Sequence, residues 1–156
     1  PRNTTAMRFV ILVRTVPAFE AETTPAPDPE LLAEMAAYHE ELARAGVLLD
    51  GSGLHPSRTG WRVVYGPEGS RVVDGPFAET KELISGWTLI QVRSREEALE
   101  WSRRFPNPVG RGQEACIEVR QVIELDEFPP GPEIERMRRI DTGGPRADAA
   151  AGTEAP

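Results

Sequence analysis

One short segment forces this chain to change direction. Asp74-Gly75-Pro76-Phe77 follows Val73 and leads through Glu79-Thr80-Lys81-Glu82 into Leu83-Ile84-Ser85-Gly86-Trp87. A Gly-Pro pair ends a regular element, because glycine takes backbone angles other residues avoid and proline fixes φ and lacks an N–H. Asp74 is positioned to fold its carboxylate back onto nearby backbone N–H groups, and Phe77 is an apolar anchor for the turn. One extended segment must therefore end near Val73, and a new strand must begin near Gly86.

Periodicity on either side of this turn predicts the remaining elements. Met7 to Arg14 reads as a central strand, with Phe9, Ile11 and Val13 on one face and Arg8, Val10, Leu12 and Arg14 on the other. A Pro-rich loop from Val16 to Pro27 follows. Asp28 is the expected cap and Pro29 the first position of a helix running to about Ala45, ended by a left-handed Gly46. Leu32, Met35, Ala36, His39, Leu42 and Ala43 form its expected apolar stripe. A second strand starts at Val47 and enters Gly51-Ser52-Gly53, where two close glycines imply a bulge or the near approach of a ligand or backbone. Trp61 to Tyr65 and Arg71 to Val73 form a hairpin with a four- or five-residue loop. Another strand spans Gly86 to Arg93, with Trp87, Leu89 and Gln91 on one face and Thr88, Ile90 and Val92 on the other. Ser94 and Glu97 form a capping box for a helix carrying Ala98, Trp101, Ser102 and Phe105, and Pro106 ends it. The last strand runs from about Ala115 to Leu125, and Glu133 to Ile140 is a candidate exposed helix.

The resulting order, β-α-β-(hairpin)-β-α-β, is an α+β fold of the ferredoxin-like split βαβ type, an antiparallel sheet with an inserted hairpin. Two helices cover one sheet face. The other face, bearing Arg8, Val10, Leu12 and Arg14 beside Cys116, Glu118, Arg120 and Val122, has no helix to cover it. A mixed face of this kind calls for a partner, and a second copy of the same sheet is the simplest one. A homodimer is expected.

Composition narrows the function classes. The 156 residues contain 15 prolines, concentrated in the loop before Pro29, at Pro106 to Pro108, and beyond Phe128. Residues 1–6 read as an extension, 7–128 as the folded domain, and 129–156 as a Pro/Ala/Gly-rich tail disordered towards its end. A net charge of −7 argues against nucleic-acid binding. No apolar run approaches the ~18 residues of a membrane span. Cys116 is the single cysteine, so no internal disulfide forms, which suits a cytoplasmic protein. The two histidines and one cysteine lack metal-ligand spacing, and no glycine-rich phosphate loop is present, so neither metal nor cofactor is expected.

The Asp74-Gly75-Pro76-Phe77 turn, together with Gly53-Leu54-His55-Pro56-Ser57, Ala45-Gly46-Val47-Leu48-Leu49 and Glu96-Glu97-Ala98-Leu99-Glu100-Trp101, resembles the blocks of the DGPF-type branch of the YCII-related proteins. The resemblance covers about Met7 to Phe128. It implies a dimeric α+β barrel and a His/Asp pair as candidate active site. His55 and Asp74 are the positions available for that pair.

His55 lies at a glycine-rich strand end before Pro56, where an imidazole can serve as acid or base near neutral pH. Asp74 can orient it, or equally can only cap its turn. Lys81 can neutralise an anionic ligand, although Glu79 and Glu82 flank it. Arg14 and Glu118 point into the space over the uncovered face, as an ion pair or as ligand contacts. His39 lies on the helical stripe, and Trp87 and Trp61 are core or pocket wall. The expected function is a small-molecule-binding dimer with cofactor-free acid–base chemistry at His55 and Asp74, of isomerase, lyase or hydrolase type. The alternative is a non-catalytic ligand-binding or regulatory accessory protein, which the resemblance associates with extracytoplasmic-function sigma factors.

Overall fold

The computed structural model of the chain describes residues 6–23 and 26–140. Residues 1–5 of the expected extension and the tail beyond residue 140 lie outside them. A four-stranded antiparallel sheet contains β1 (Met7–Arg14), β2 (Leu48–Gly53), β5 (Ile84–Val92) and β6 (Ile117–Gln121), in the spatial order β2-β5-β1-β6. Strands β3 (Trp61–Gly66) and β4 (Gly69–Asp74) make a separate two-stranded hairpin. The helices are α1 (Pro17–Glu20), α2 (Pro29–Arg44), α3 (Arg95–Arg103) and α4 (Pro132–Arg139). With the hairpin set aside, this is the ferredoxin-like α+β order. Among the described residues no helix is long and apolar enough to cross a membrane.

Side-chain alternation on the two central strands sets the core. Phe9 and Ile11 of β1 are buried, and so are Thr88, Ile90 and Val92 of β5. Tyr38, Leu42, Val47 and Ala98 close over them from the helix side. The fully buried Leu42 makes this layer sensitive to truncation, since a leucine-to-alanine change in a core costs about 2–5 kcal/mol.

Helix α2 starts as its sequence dictates. The Asp28 carboxylate accepts the Glu30 N–H at 3.0 Å, and Gly46 turns the chain with φ +72°. Its buried stripe differs from the expected one. Leu31, Met35, Tyr38 and Leu42 face the sheet, whereas Leu32, Ala36 and Ala43 are exposed. Tyr38, with its large ring surface, takes the central position. Helix α3 is capped by Ser94, whose hydroxyl accepts the Glu97 N–H at 3.1 Å. Glu97 reaches back one residue further than a reciprocal box requires, accepting from the Arg93 N–H at 2.8 Å.

Four other expectations are corrected. The Pro-rich loop contains the short helix α1. The hairpin loop is only Pro67-Glu68, with Gly69 at φ +120° supplying the turn. Strand β6 is shorter than 115–125, so Cys116 precedes it and is exposed. Its far end stops where Glu124 and Glu127 cap a 3₁₀ turn. Arg8, on the uncovered face, is buried beneath this turn and pairs with Glu124 through two bonds of 2.7 and 2.8 Å.

The Tyr38 hydroxyl donates to the Trp101 carbonyl at 2.8 Å, and its ring packs edge-on against Trp101 and Phe105. Burial pushes its phenol up to about 12, with the Arg104 charge opposing and Glu41 adding. The folded state thus holds the proton between the free-phenol value of about 10 and about 12. Its contribution to stability is complete below pH 10 and is lost as pH rises towards 12. The Tyr65→Phe variant leaves Tyr38 as the single tyrosine of the two in the chain. Phenolate absorbance in that variant should appear with a midpoint near 12. A midpoint at the free-phenol value would contradict the buried placement.

Candidate functional site

The forced turn forms a joint between two loops. Gly75 N–H donates to the Gly60 carbonyl at 2.9 Å. A Cβ built on Gly75 would lie 1.8 Å from the Ser57 carbonyl oxygen, closer than any side chain permits. Glycine is required here by backbone approach, since Gly75 is not among the residues of positive φ. The Gly75–Pro76 peptide is cis. Ser57 is the centre of the joint. Its hydroxyl donates to Glu20 Oε2 at 2.5 Å and accepts the Phe77 N–H at 3.0 Å, while its own N–H donates to the Glu20 carboxylate at 3.1 Å. Arg58 holds Glu22 through bonds of 2.7 and 2.8 Å, and Arg62 lies 3.8 Å over the Phe77 ring. The hydrogen bond from the Arg58 guanidinium keeps the Glu22 carboxyl below its usual range, with desolvation opposing and the charges of Arg58 and His55 adding smaller pulls.

A cavity of about 1030 Å³ opens on the helix side of the sheet, bounded by α2, the ends of β2 and β5, the α1 segment and the 105–113 loop. This volume suits a small organic molecule, since such sites typically measure about 300–1,000 Å³. Its floor is made of glycine. Gly51 pairs with Thr88 and Gly53 with Gly86, so all four positions share the face that α2 covers. A Cβ on Gly51 would come within 3.1 Å of the Trp87 carbonyl, and one on Gly86 within 3.3 Å of the Ser52 carbonyl. The two strands thus approach closely, and the missing side chains leave room above them.

Polar groups stand at two levels of the cavity. At its base, His39 Nδ1 lies 2.8 Å from the Met35 carbonyl and Nε2 lies 3.0 Å from Thr88 Oγ1. A carbonyl can only accept, so Nδ1 carries the proton; in the neutral ring Nε2 then accepts from the Thr88 hydroxyl. Thr88 is buried. At the rim, Arg111 Nη2 lies 2.5 Å from Glu34 Oε1, and its Nη1 lies 3.6 Å from Glu30. Leu31, Met35, Phe19 and Phe105 supply apolar wall.

The structure divides the residues expected from sequence into two groups. Arg14, His39 and Trp87 line the cavity. Glu118 joins Arg14 through a 3.0 Å ion pair on the uncovered face, and Arg120 adds a second contact at 3.5 Å. His55 and Asp74 are exposed, and neither lines the cavity. They occupy the two segments that the joint ties together. Among the described residues no hydrogen bond links them, and the Asp74 carboxylate caps no N–H, because Ser57 takes the Phe77 N–H instead. Lys81 is exposed in the 3₁₀ turn Thr80–Glu82. Among the described residues no group of three His, Cys, Asp or Glu side chains gathers to hold a metal. Thr88, Glu34 and Arg111 escaped the sequence reading. Thr88 did carry a signal, as a hydroxyl in a buried row otherwise made of Ile90 and Val92.

Comparison with known proteins agrees with this architecture. The YCII-related domain matches residues 7–126, and the chain belongs to that family. It is also 32% identical over 80 residues to an uncharacterised protein of Rhizobium meliloti (strain 1021), an alignment covering 51% of this chain and 64% of the relative. The match therefore spans a little under two thirds of that relative's length.

The joint carries its own test. Gly75→Val should destabilise the fold by about 1–3 kcal/mol, because the Ser57 backbone cannot move aside cheaply. Urea unfolding should show a lower midpoint with an unchanged slope. A midpoint equal to the wild-type value would contradict the close approach.

Proposed function

We propose that this YCII-related chain binds a small, largely apolar organic molecule in the cavity between α2 and the β2–β5 end of the sheet. The observation that carries this reading is the glycine floor beneath a paired His39 and Thr88. Three glycines, Gly51, Gly53 and Gly86, remove side chains where a packed core would place them, and one polar couple stands within otherwise apolar walls. Apolar shape with few polar anchors is what small-molecule recognition requires. A ligand hydroxyl or N–H can replace the Thr88 hydroxyl as donor to His39 Nε2, so the imidazole fixes its orientation.

The binding unit in this reading is a homodimer. Val10, Leu12, Trp87 and Leu89 are only half-buried on the sheet face that no helix covers, and the Arg14–Glu118–Arg120 ion pairs border them. A second sheet packed on this face removes that apolar area from water.

Acid–base turnover by His55 and Asp74 is a second reading. One observation favours it: both residues sit on segments that Gly75, Gly60 and Ser57 hold together. It needs a ligand that reaches the joint rather than the cavity floor.

Ligand-observed NMR with a panel of small aromatic and aliphatic fragments separates the two sites. Gly53 is the floor position whose added Cβ meets nothing closer than the Ser85 carbonyl at 3.9 Å. Gly53→Leu should therefore fill the cavity with little loss of stability and reduce fragment binding at least about tenfold, a change of about 1.4 kcal/mol. His55→Ala and Asp74→Asn should leave that binding unchanged. Loss of binding in His55→Ala with retention in Gly53→Leu would move the site to the joint.

A further inference from the structure

The charges that line the cavity do not balance. Asp28, Glu30 and Glu34 stand there against Arg14 and Arg111, and Arg14 is already engaged by Glu118 on the uncovered face. Arg111 is shared by Glu34 and Glu30. Asp28 has no ion-pair partner among the described residues, its carboxylate being used to cap α2. The mouth of the cavity therefore carries an excess of negative charge.

Glu34 is the more buried member of the pair on Arg111. Its side chain is 26% exposed against 63% for Glu30, and its Oε1 is shut off from solvent without receiving a hydrogen bond. Arg111 brings a charge to that oxygen but no aligned donor. A buried carboxylate oxygen in this state is unfavourable, and a donor reaching it from the cavity relieves it. Arg111 is the replaceable partner. Its side chain is 77% exposed, and it stands between Gly110 at φ +108° and Gly112 at φ +78°. Asn107 fixes the base of this loop, donating to the Gln113 carbonyl at 2.8 Å and accepting the Val109 N–H at 3.1 Å. So exposed an ion pair holds weakly, and the guanidinium can give way at Glu34 while the loop and α2 stay in place.

The base of the cavity asks for a donor as well, since Nε2 of neutral His39 accepts. Glu34 and His39 both belong to α2, and at 1.5 Å per residue they are separated by roughly 7–8 Å along its axis. Met35, Leu31, Phe19 and Phe105 supply the apolar wall around them. Trp61, expected as core or wall, is instead exposed on the hairpin and takes no part.

We propose that the ligand of this cavity is a protonated amine with an apolar body: its ammonium on Glu34 at the rim, its body against Met35 and Phe105, and a hydroxyl or N–H on His39 Nε2 at the base. This names the ligand class of the site proposed above and rests on that site being the binding cavity. An anionic ligand meets the opposite situation, because the carboxylates at the mouth already neutralise Arg111.

Tyramine has about the required length between its ammonium and its hydroxyl. Calorimetric titration of the full chain at neutral pH compares it with para-ethylphenol, which lacks the charge, and para-hydroxyphenylpropanoate, which reverses it. Tyramine should bind at least about tenfold tighter than para-ethylphenol, and the propanoate more weakly than either. Glu34→Gln keeps the shape of the side chain and should keep the melting temperature. In that variant tyramine should bind no tighter than para-ethylphenol, whose own affinity is unchanged. A propanoate that binds tightest, or a tyramine advantage that survives Glu34→Gln, overturns the amine assignment. Binding of para-ethylphenol that Gly53→Leu abolishes, with no advantage for tyramine, overturns it too but leaves the cavity as the binding site. Failure of all three compounds to bind also overturns it, and the wider fragment panel then decides the cavity.

Discussion

Alternation along β5 is the constraint on which the rest of the molecule depends. A strand sends successive side chains to opposite faces, so Gly86, Thr88, Ile90 and Val92 lie beneath the helices while Trp87, Leu89 and Gln91 look the other way. A slip of one residue would exchange the two rows. It would turn the Trp87 and Leu89 side chains towards the helices and the Ile90 side chain away from them. Pairing with β1 on one side and β2 on the other holds the register, and it brings Gly51 and Gly53 beside Thr88 and Gly86. Both the glycine floor and the uncovered apolar patch follow from this one assignment of faces.

The Ser57–Gly75 joint has a different task. It contributes little to the core, whose residues lie on β1, β5, α2 and α3 and at Val47. Instead it connects three pieces that share no sheet: α1 through Glu20, the loop after β2 through Ser57, and the end of the hairpin through Gly75 and Phe77. One serine satisfies a carboxylate and a backbone N–H at once, and only glycine fits against its carbonyl. The Asp-Gly-Pro-Phe signature is thus explained by packing of backbone on backbone, with Asp74 exposed at its edge.

Much of this was legible from the sequence, and the failures share a cause. The number and order of the strands, the Asp28 and Ser94 caps and the Gly46 terminator follow from local chemistry and agree with the structure, whereas the strand ends, that of β6 above all, do not. The stripe on α2 was misread because Leu32, Ala36 and Ala43 are as apolar as the residues that are buried; Tyr38 decided the orientation through tertiary packing and its bond to Trp101. The short hairpin loop was missed because Gly69 can turn the chain in fewer residues than composition suggests. The cavity was half legible: Gly51 and Gly53 signalled close approach, and His39 was singled out. Thr88, Glu34 and Arg111 come together only when β5, α2 and the 105–113 loop are folded over one another. Separation of the hairpin from the main sheet is a tertiary fact, which the alternating pattern of β3 and β4 could not reveal.

The chain contains two histidines, one for each candidate site, so their ring nitrogens tell the two sites apart. Ring-nitrogen NMR of selectively labelled histidine resolves His39 and His55 and reports which nitrogen holds the proton. If the cavity is the binding site, neutral His39 carries its proton on Nδ1, and a bound fragment displaces the His39 Nε2 resonance as it replaces the Thr88 hydroxyl, while the His55 signals stay in place. Binding that moves the His55 nitrogens and leaves those of His39 unchanged would contradict the account and transfer the site to the joint.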